Sequence, residues 1–409
     1  MYSLIEKAQQ GTITPEIRAV AAAEGIRVSL LREHIAEGSA VIMQRGECLV
    51  GIGTGLRTKI NVNLGTSPGK STMTDEMEKA RIAGEFGADT ISDLSMGGDI
   101  DAIRREILSC TTLPITTIPI YQAAAEIGLH ALTSGDIIAS LKKQVDSGIS
   151  SCVIHGVSRA MLDAFHRKRR TLGMVSKGGS ITSAFMLLNR CENPYLEHFD
   201  EVISVCRKHN IVLSLGNTMR SGCIHDPRDM AQIEEIRQNV RLAGIAHEKG
   251  VQVIIEGAGG HIRMDRISSS VKYYKRQSRY PLFVAGPLPT DIGLGYDHLA
   301  GCVGASIASA AGADYLCAVT PSEHLGLPGP GAVREGLIAF RIAAHIGDIS
   351  KYGQDNEDLA MAVCRAALDR EGQIRRSLDP VRTRELANNE TECTMCGNFC
   401  AIRIMREFS

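Results

Sequence analysis

The strongest constraint on this chain is a change of rhythm near residue 58, where short apolar runs begin to alternate with longer stretches of helical periodicity. The runs span residues 58–65, 88–95, 114–121, 150–156, 173–179, 211–217, 251–260, 281–288 and 314–321. Between them lie segments such as TDEMEKARIAGEFG, EEIRQNVRLAGIAHEKG and REGLIAFRIAAHIGDI. Strands separated by helices pair in parallel, because the helix carries the chain back to the start of the next strand. About eight such units close into a (β/α)8 barrel of the TIM type. Nine runs compete for eight places, so one of them, GMVSKGG (173–179) foremost, is expected to be a loop or an added strand. An open doubly wound sheet is the alternative. The barrel is preferred because polar residues and glycines gather at the C-terminal end of nearly every run, where a barrel builds its active site.

The flanks read differently. Residues 1–57 form an N-terminal extension whose first fifty residues are expected to be helical. Thr14 is placed to cap a helix with Pro15 at its first position, and Ser29 to cap LLREHIAEG, which stops at Gly38. Residues 58–350 are assigned to the barrel and 351–409 to a C-terminal segment. Within that segment 356–378 reads as helix, DPVRTRELANNETE as a polar linker, and CTMCGNFCAIRIMREFS as a cysteine-bearing tail.

Charge excludes some partners. With 45 basic and 46 acidic side chains the net charge is −1, which favours neither nucleic acid nor an anionic membrane and leaves a small molecule as the expected ligand. The N-terminus carries no apolar core of a signal peptide, and the apolar runs are strand-sized, so a cytoplasmic location is expected. Nine of the twelve cysteines are scattered singly, as reduced thiols that pack like small hydrophobes.

The other three form C-x2-C-x3-C at Cys393, Cys396 and Cys400. A 4Fe–4S cluster normally takes four thiolates. Three leave one iron open, and an open iron can bind the amino and carboxylate groups of S-adenosylmethionine (SAM) and direct an electron into its sulfonium bond. A structural zinc site competes with this reading, but it wants a fourth ligand, and the last histidine is His345.

Other polar residues sit at run ends. His261 follows EGAGG and His324 lies in TPSEHLGLP; as neutral imidazoles they would suit a divalent metal, zinc before others, if the two loops converge. SKGGS (176–180) and GNTMRSG (216–222) combine small residues with Lys177 and Arg220, so their turn N–H groups could hold a phosphate. Asn63, Tyr121, His155 and Glu256 end other runs, each with a structural alternative. GIGTGLRT (51–58) lacks the G-x-G-x-x-G spacing and precedes a strand, which rules out a dinucleotide loop.

Taken in order, GLRTKINVNLGTS, IPIYQA, VSKGGS, IEGAGGH, GPLPTDI, GYDH, TPSEHLGLP and CTMCGNFC resemble the radical SAM family of phosphomethylpyrimidine synthase and its 5-hydroxybenzimidazole-forming paralogues, from about Gly11 to Cys400. The resemblance implies a homodimeric barrel acting on 5-aminoimidazole ribotide and supplied with electrons by a partner such as flavodoxin or ferredoxin. It implies substrate contacts at Asn63, Ser92, Tyr121, His155, Ser176, Lys177, Gly178, Asn217, Thr218, Met219, Arg220, Glu256 and Phe283, with Glu256 and Tyr121 nearest the chemistry. It assigns His261 and His324 to zinc and the tail cysteines to the cluster. Ser92, Lys177, Asn217–Thr218 and Phe283 depart from the family's Met, Arg, Asp-Gly and Tyr, and one extra glycine precedes His261. These departures point to the benzimidazole-forming branch, in cobamide lower-ligand synthesis, with the thiamin pyrimidine reaction as the alternative.

Overall fold

Eight of the nine runs form one closed, all-parallel barrel, in a computed structural model that describes residues 2–69, 72–167, 170–226, 228–388, 390 and 393–407. Its strands are β3 (Lys59–Leu64), β4 (Thr90–Asp93), β5 (Ile115–Thr117), β6 (Ser151–Ile154), β7 (Val212–Leu215), β8 (Val253–Glu256), β9 (Leu282–Ala285) and β10 (Tyr315–Cys317), in sequence order, with β10 closing onto β3. Alternation decides which side chains meet the lumen. In β3, Ile60, Val62 and Leu64 enter the main core beneath the helices, so Asn61 and Asn63 take the opposite face. There Asn61 Oδ1 accepts from Thr90 Oγ1 (3.1 Å) and Ser92 Oγ (2.9 Å), while its Nδ2 donates to Asn63 Oδ1 (2.9 Å). The barrel interior is therefore polar well below its mouth.

Run 173–179 is not a strand. Ser176 caps the helix Lys177–Asn189, its Oγ accepting from Gly179 N at 3.2 Å, so the glycines lie in a first helical turn. Run 114–121 is shorter than its apolar content implies, because Pro119 opens the helix Pro119–Ile127 and moves Tyr121 from a strand end to that helix's first turn.

The N-terminal extension differs more. Thr14 and Pro15 open the helix Pro15–Glu24 as expected, and Gly38, at φ 82°, closes the next helix. That next helix starts at Val28 after Arg27, with no side-chain cap, so Ser29 lies inside it. Residues expected to continue as helix instead form an antiparallel hairpin, β1 (Ala40–Arg45) and β2 (Cys48–Gly53). Val41, Met43, Val50 and Ile52 pack against Val212, Ile254 and Tyr315 of the barrel. Gln252 fastens the hairpin, accepting from Ile42 N at 2.7 Å and donating to Ile42 O at 3.0 Å. Because Gln252 immediately precedes β8, the hairpin closes the N-terminal end of the barrel and leaves the C-terminal end for ligands.

The chain divides into compact units at Met1–Gly347 and Asp348–Ser409. In the second, the helical stretch is two helices, Asn356–Ala367 and Arg370–Arg376, broken at Leu368 (φ 57°). The expected polar linker contains a third helix, Pro380–Leu386, whose N-cap Asp379 accepts from Arg382 N at 2.9 Å. The tail has a 3-10 turn at Gly397–Phe399 and a short helix at Ala401–Arg406. Among the described residues no helix is long and apolar enough to cross a membrane.

Candidate functional site

The C-terminal ends of the strands bring most of the expected residues together. His155 directly follows β6 and is buried. Its ring is wedged between two backbones that tolerate no side chain: a Cβ on Gly178 would lie 2.3 Å from His155 Cε1, and one on Gly216 would lie 2.9 Å from its Cδ2. Next to this wedge, a Cβ on Gly179 would lie 2.4 Å from Thr218 Cγ2. The 176–179 turn and the 216–218 loop are thus packed against each other around one imidazole. Burial, reinforced by the Arg220 charge, pushes that imidazole down to about 3, so it is neutral at physiological pH. His155 Nδ1 has no hydrogen-bond partner among the described residues.

Tyr121 lies beside this assembly, with the Lys177 ammonium 5.2 Å from its ring centroid. Burial pushes the Tyr121 phenol up to about 12, with Arg220 pulling it down and Glu256 raising it further. Glu256, the last residue of β8, accepts from Ser214 Oγ at 2.9 Å and from Asn217 N at 3.4 Å. Burial raises its carboxyl above the usual range, against the pull of Ser214 and Arg220. Arg220 donates to Asn217 O (3.1 Å) and Val175 O (3.4 Å), which ties the loop after β7 to the turn that carries Lys177.

The turn N–H groups expected to cradle a phosphate after β7 are already engaged. Thr218 N and Met219 N donate to the carboxylate of Glu235, and Asn217 Nδ2 does so at 2.6 Å. Met219 is fully buried in a cluster with Val157, Met161 and Met186 and offers no side chain to the lumen. Of this loop, Asn217 lines a cavity at this end of the barrel, and the Arg220 guanidinium is bonded to backbone carbonyls, with no carboxylate partner among the described residues. Ser92 and Phe283 lie deeper. Ser92 bonds to Asn61, and Phe283 stacks on Tyr315 with centroids 4.0 Å apart.

Two cavities open at this end. One of about 310 Å³ is lined by Asn63, Lys177, Glu323 and Thr66. Another of about 340 Å³ is lined by Asn217, His261, Arg228 and Arg263. A wider groove of about 900 Å³ involves Tyr2, Gln44, Asp200 and Lys249, and none of the expected site residues.

The two histidines converge despite lying on different loops. His261 Nε2 and His324 Nε2 are 3.3 Å apart. Metal–nitrogen bonds of about 2.0–2.1 Å at a tetrahedral angle place neighbouring ligands about 3.3–3.4 Å apart, so this spacing fits a shared divalent ion. Each ring is oriented from behind: His261 Nδ1 lies 2.7 Å from Asp291 Oδ1, and His324 Nδ1 lies 3.0 Å from Asp297 Oδ1. A carboxylate on the far nitrogen turns Nε2 toward a metal as a lone-pair donor. The extra glycine before His261 is absorbed in a kinked segment where Ala258 has φ 52° and Gly260 has φ 85°. The chain is then re-pinned by His261 N to Ser221 O (3.0 Å) and Ile262 N to Leu288 O (3.0 Å). Reading the sequence missed both aspartates, although they stand inside the motifs GPLPTDI and GYDH, and it missed Glu235.

Of the tail cysteines, Cys393 and Cys396 are exposed and Cys400 is half-buried. No three His, Cys, Asp or Glu side chains among the described residues converge on a ready metal site. The tail offers three thiols within eight residues, a donor set that fits a cluster with one open iron.

A family model described as the Radical SAM ThiC family matches residues 3–407. The phosphomethylpyrimidine synthase of Dehalococcoides mccartyi strain CBDB1 is 42% identical over 417 residues, covering 98% of this chain and 96% of that protein. The enzyme of the same name from Geobacter metallireducens is 42% identical over 421 residues, covering 98% and 96%. That from Methanospirillum hungatei is 41% identical over 418 residues, covering 98% of both.

Proposed function

The chain belongs to the Radical SAM ThiC family, and from that premise we propose that it rearranges 5-aminoimidazole ribotide in the barrel mouth. Membership implies a 4Fe–4S cluster and SAM, which together would supply a carbon-centred radical able to remove a hydrogen from the ribose. Cys393, Cys396 and Cys400 would hold the cluster, and His261 and His324 a divalent ion. The rest is done by side chains of the barrel. Lys177 and Arg220 neutralise the phosphate from two turns that are tied together. His155, kept neutral, adds no charge beside them and offers a hydrogen-bonding edge. Tyr121 keeps its proton at neutral pH and presents a ring face and a donor. Glu256 holds a carboxyl raised toward the range in which it can take or give a proton, as a general acid–base group must.

The single observation that carries this reading is a family match running from residue 3 to residue 407, which takes in both the strand-end residues and the tail cysteines. As to product, the relatives at 41–42% identity bear the name phosphomethylpyrimidine synthase, which favours hydroxymethylpyrimidine phosphate. A second reading, 5-hydroxybenzimidazole, rests on the sequence departures alone, at Ser92, Lys177, Asn217–Thr218 and Phe283; two of these lie inside the barrel, where Ser92 hydrogen-bonds Asn61 and Phe283 stacks on Tyr315.

The test is anaerobic incubation of the reconstituted protein with 5-aminoimidazole ribotide, SAM and a strong reductant. Deoxyadenosine release with either product supports the radical reaction, and product identity chooses between the readings. No ribotide-dependent deoxyadenosine would refute both. A homodimer and a flavodoxin- or ferredoxin-type donor belong to the same proposal.

A further inference from the structure

We propose that Glu235, which lies outside the lumen and touches no expected ligand, is the positioning residue that holds the Asn217–Arg220 loop in its ligand-binding shape. This inference rests on the preceding reading only for what that loop binds.

Glu235 sits on the helix Met230–Glu248, is 2% exposed, and points its carboxylate at the underside of the loop. Its hydrogen-bond donors among the described residues come from that loop: Asn217 Nδ2 at 2.6 Å, Met219 N at 3.1 Å, and Thr218 N. The carbonyl side of the same loop is held by Arg170. This guanidinium donates to Met219 O (2.9 Å) and Arg220 O (3.3 Å) and is itself fixed by Asp229, the N-cap of the Glu235 helix, at 2.8 Å. One helix therefore grips the loop by its amides through Glu235 and by its carbonyls through Asp229 and Arg170.

The consequence reaches both turns of the site. With its amides fixed, the loop presents Arg220, whose guanidinium spans Asn217 O and Val175 O, and Val175 precedes the Ser176–Lys177–Gly178 turn. Asn217, held by its side chain from below, gives its main-chain N–H to Glu256. Burial raises the Glu235 carboxyl to about 7, against the pull of its hydrogen bonds from Met219, Asn217 and Thr218, so it is a poor way to gain stability. Its value is geometric: two oxygens can hold three donors of one loop at fixed separation.

The test compares wild type with Glu235→Gln in the full-length protein, using titration with 5-aminoimidazole ribotide and amide hydrogen exchange read by mass spectrometry. The substitution keeps the shape but replaces one acceptor by an NH2 group that faces loop donors. Ribotide affinity is expected to fall about tenfold, the order of one lost hydrogen bond. The segment 216–222 should lose exchange protection while the barrel strands keep theirs. Adding Asn217→Asp lets donor and acceptor exchange places, and it should restore the lost protection. The proposal is overturned if E235Q binds ribotide within about twofold of wild type with the loop still protected. It is equally overturned if protection falls in all strands alike, which would mark a general structural role. If wild type itself fails to bind ribotide, the substrate reading falls, and the exchange comparison alone decides for or against the anchor.

Discussion

Gly178 and His155 show how tightly single residues are specified here. A methyl at position 178 would need to lie 2.3 Å from the imidazole, and the facing backbone at Gly216 blocks the ring from moving away. Gly178→Ala should therefore destabilise the protein by about 1–3 kcal/mol, as overpacking does, measured by chemical denaturation, and it should weaken ribotide binding more than the distant Gly84→Ala, where a Cβ meets nothing within 4 Å. The same burial gives a pH signature. His155 is depressed to about 3 when folded and returns to about 6.5 when unfolded. Below about 6.5 the unfolded chain takes up a proton that the native state refuses, so stability is present above that pH and drains away toward 3, by at most about 1.4 kcal/mol per pH unit. His155→Gln removes this term. The stability of wild type relative to this variant should fall as pH drops from 7 to 4, and a constant difference would show that the imidazole is not buried as a neutral group. The identity of these residues was legible in the sequence, where SKGGS and a histidine after an apolar run stand out. Their contact was not, because residues 155, 178 and 216 meet only once the barrel has closed.

At the scale of elements, loops after β8, β9 and β10 combine to make one histidine pair with two supporting carboxylates. The aspartates lie 30 and 27 residues from the rings they orient, which is why the sequence shows the imidazoles and hides their partners. Asp297→Asn should lower zinc affinity by about 10–100-fold, read by competition with a chromophoric chelator, with little change in fold because the amide keeps the shape of the buried side chain. Undiminished affinity would show that the Asp297 carboxylate does not support a metal-bound His324. Strand existence was legible wherever a β-branched run was bounded by glycine or polar residues. The errors arose where local chemistry overrode hydropathy: Ser176 caps a helix inside an apolar run, and Pro119 starts one at another run's end; the β1–β2 hairpin in VIMQRGECLVGIG carries its own signal, a two-residue turn containing Gly46 between the paired Arg45 and Cys48. Asp379–Pro380 carries a helix-start signal within what otherwise reads as linker.

For the whole molecule, the division of the chain at Gly347–Asp348 separates a barrel with a dense core from a C-terminal unit in which the helix Asn356–Ala367 buries no residue fully. The tail thiols follow that contrast. Cys393 and Cys396 are exposed, whereas Cys152, Cys206, Cys223 and Cys317 are buried in the barrel unit. A cluster held by these thiols would gather side chains that form no ready metal site among the described residues, so metal binding and ordering of the tail should be one event, as in other sites whose ligands meet only around the metal. In the cluster-free protein a thiol-alkylating reagent should modify Cys393 and Cys396 first, and anaerobic reconstitution with iron and sulfide should protect them together with Cys400. Cys396→Ala should abolish both the protection and the release of deoxyadenosine, while the melting temperature of the barrel changes little because the substituted thiol is outside its core. Alkylation that proceeds equally fast before and after reconstitution, or deoxyadenosine formation that survives the substitution, would remove the tail from the chemistry and return the fourth-ligand zinc reading to contention.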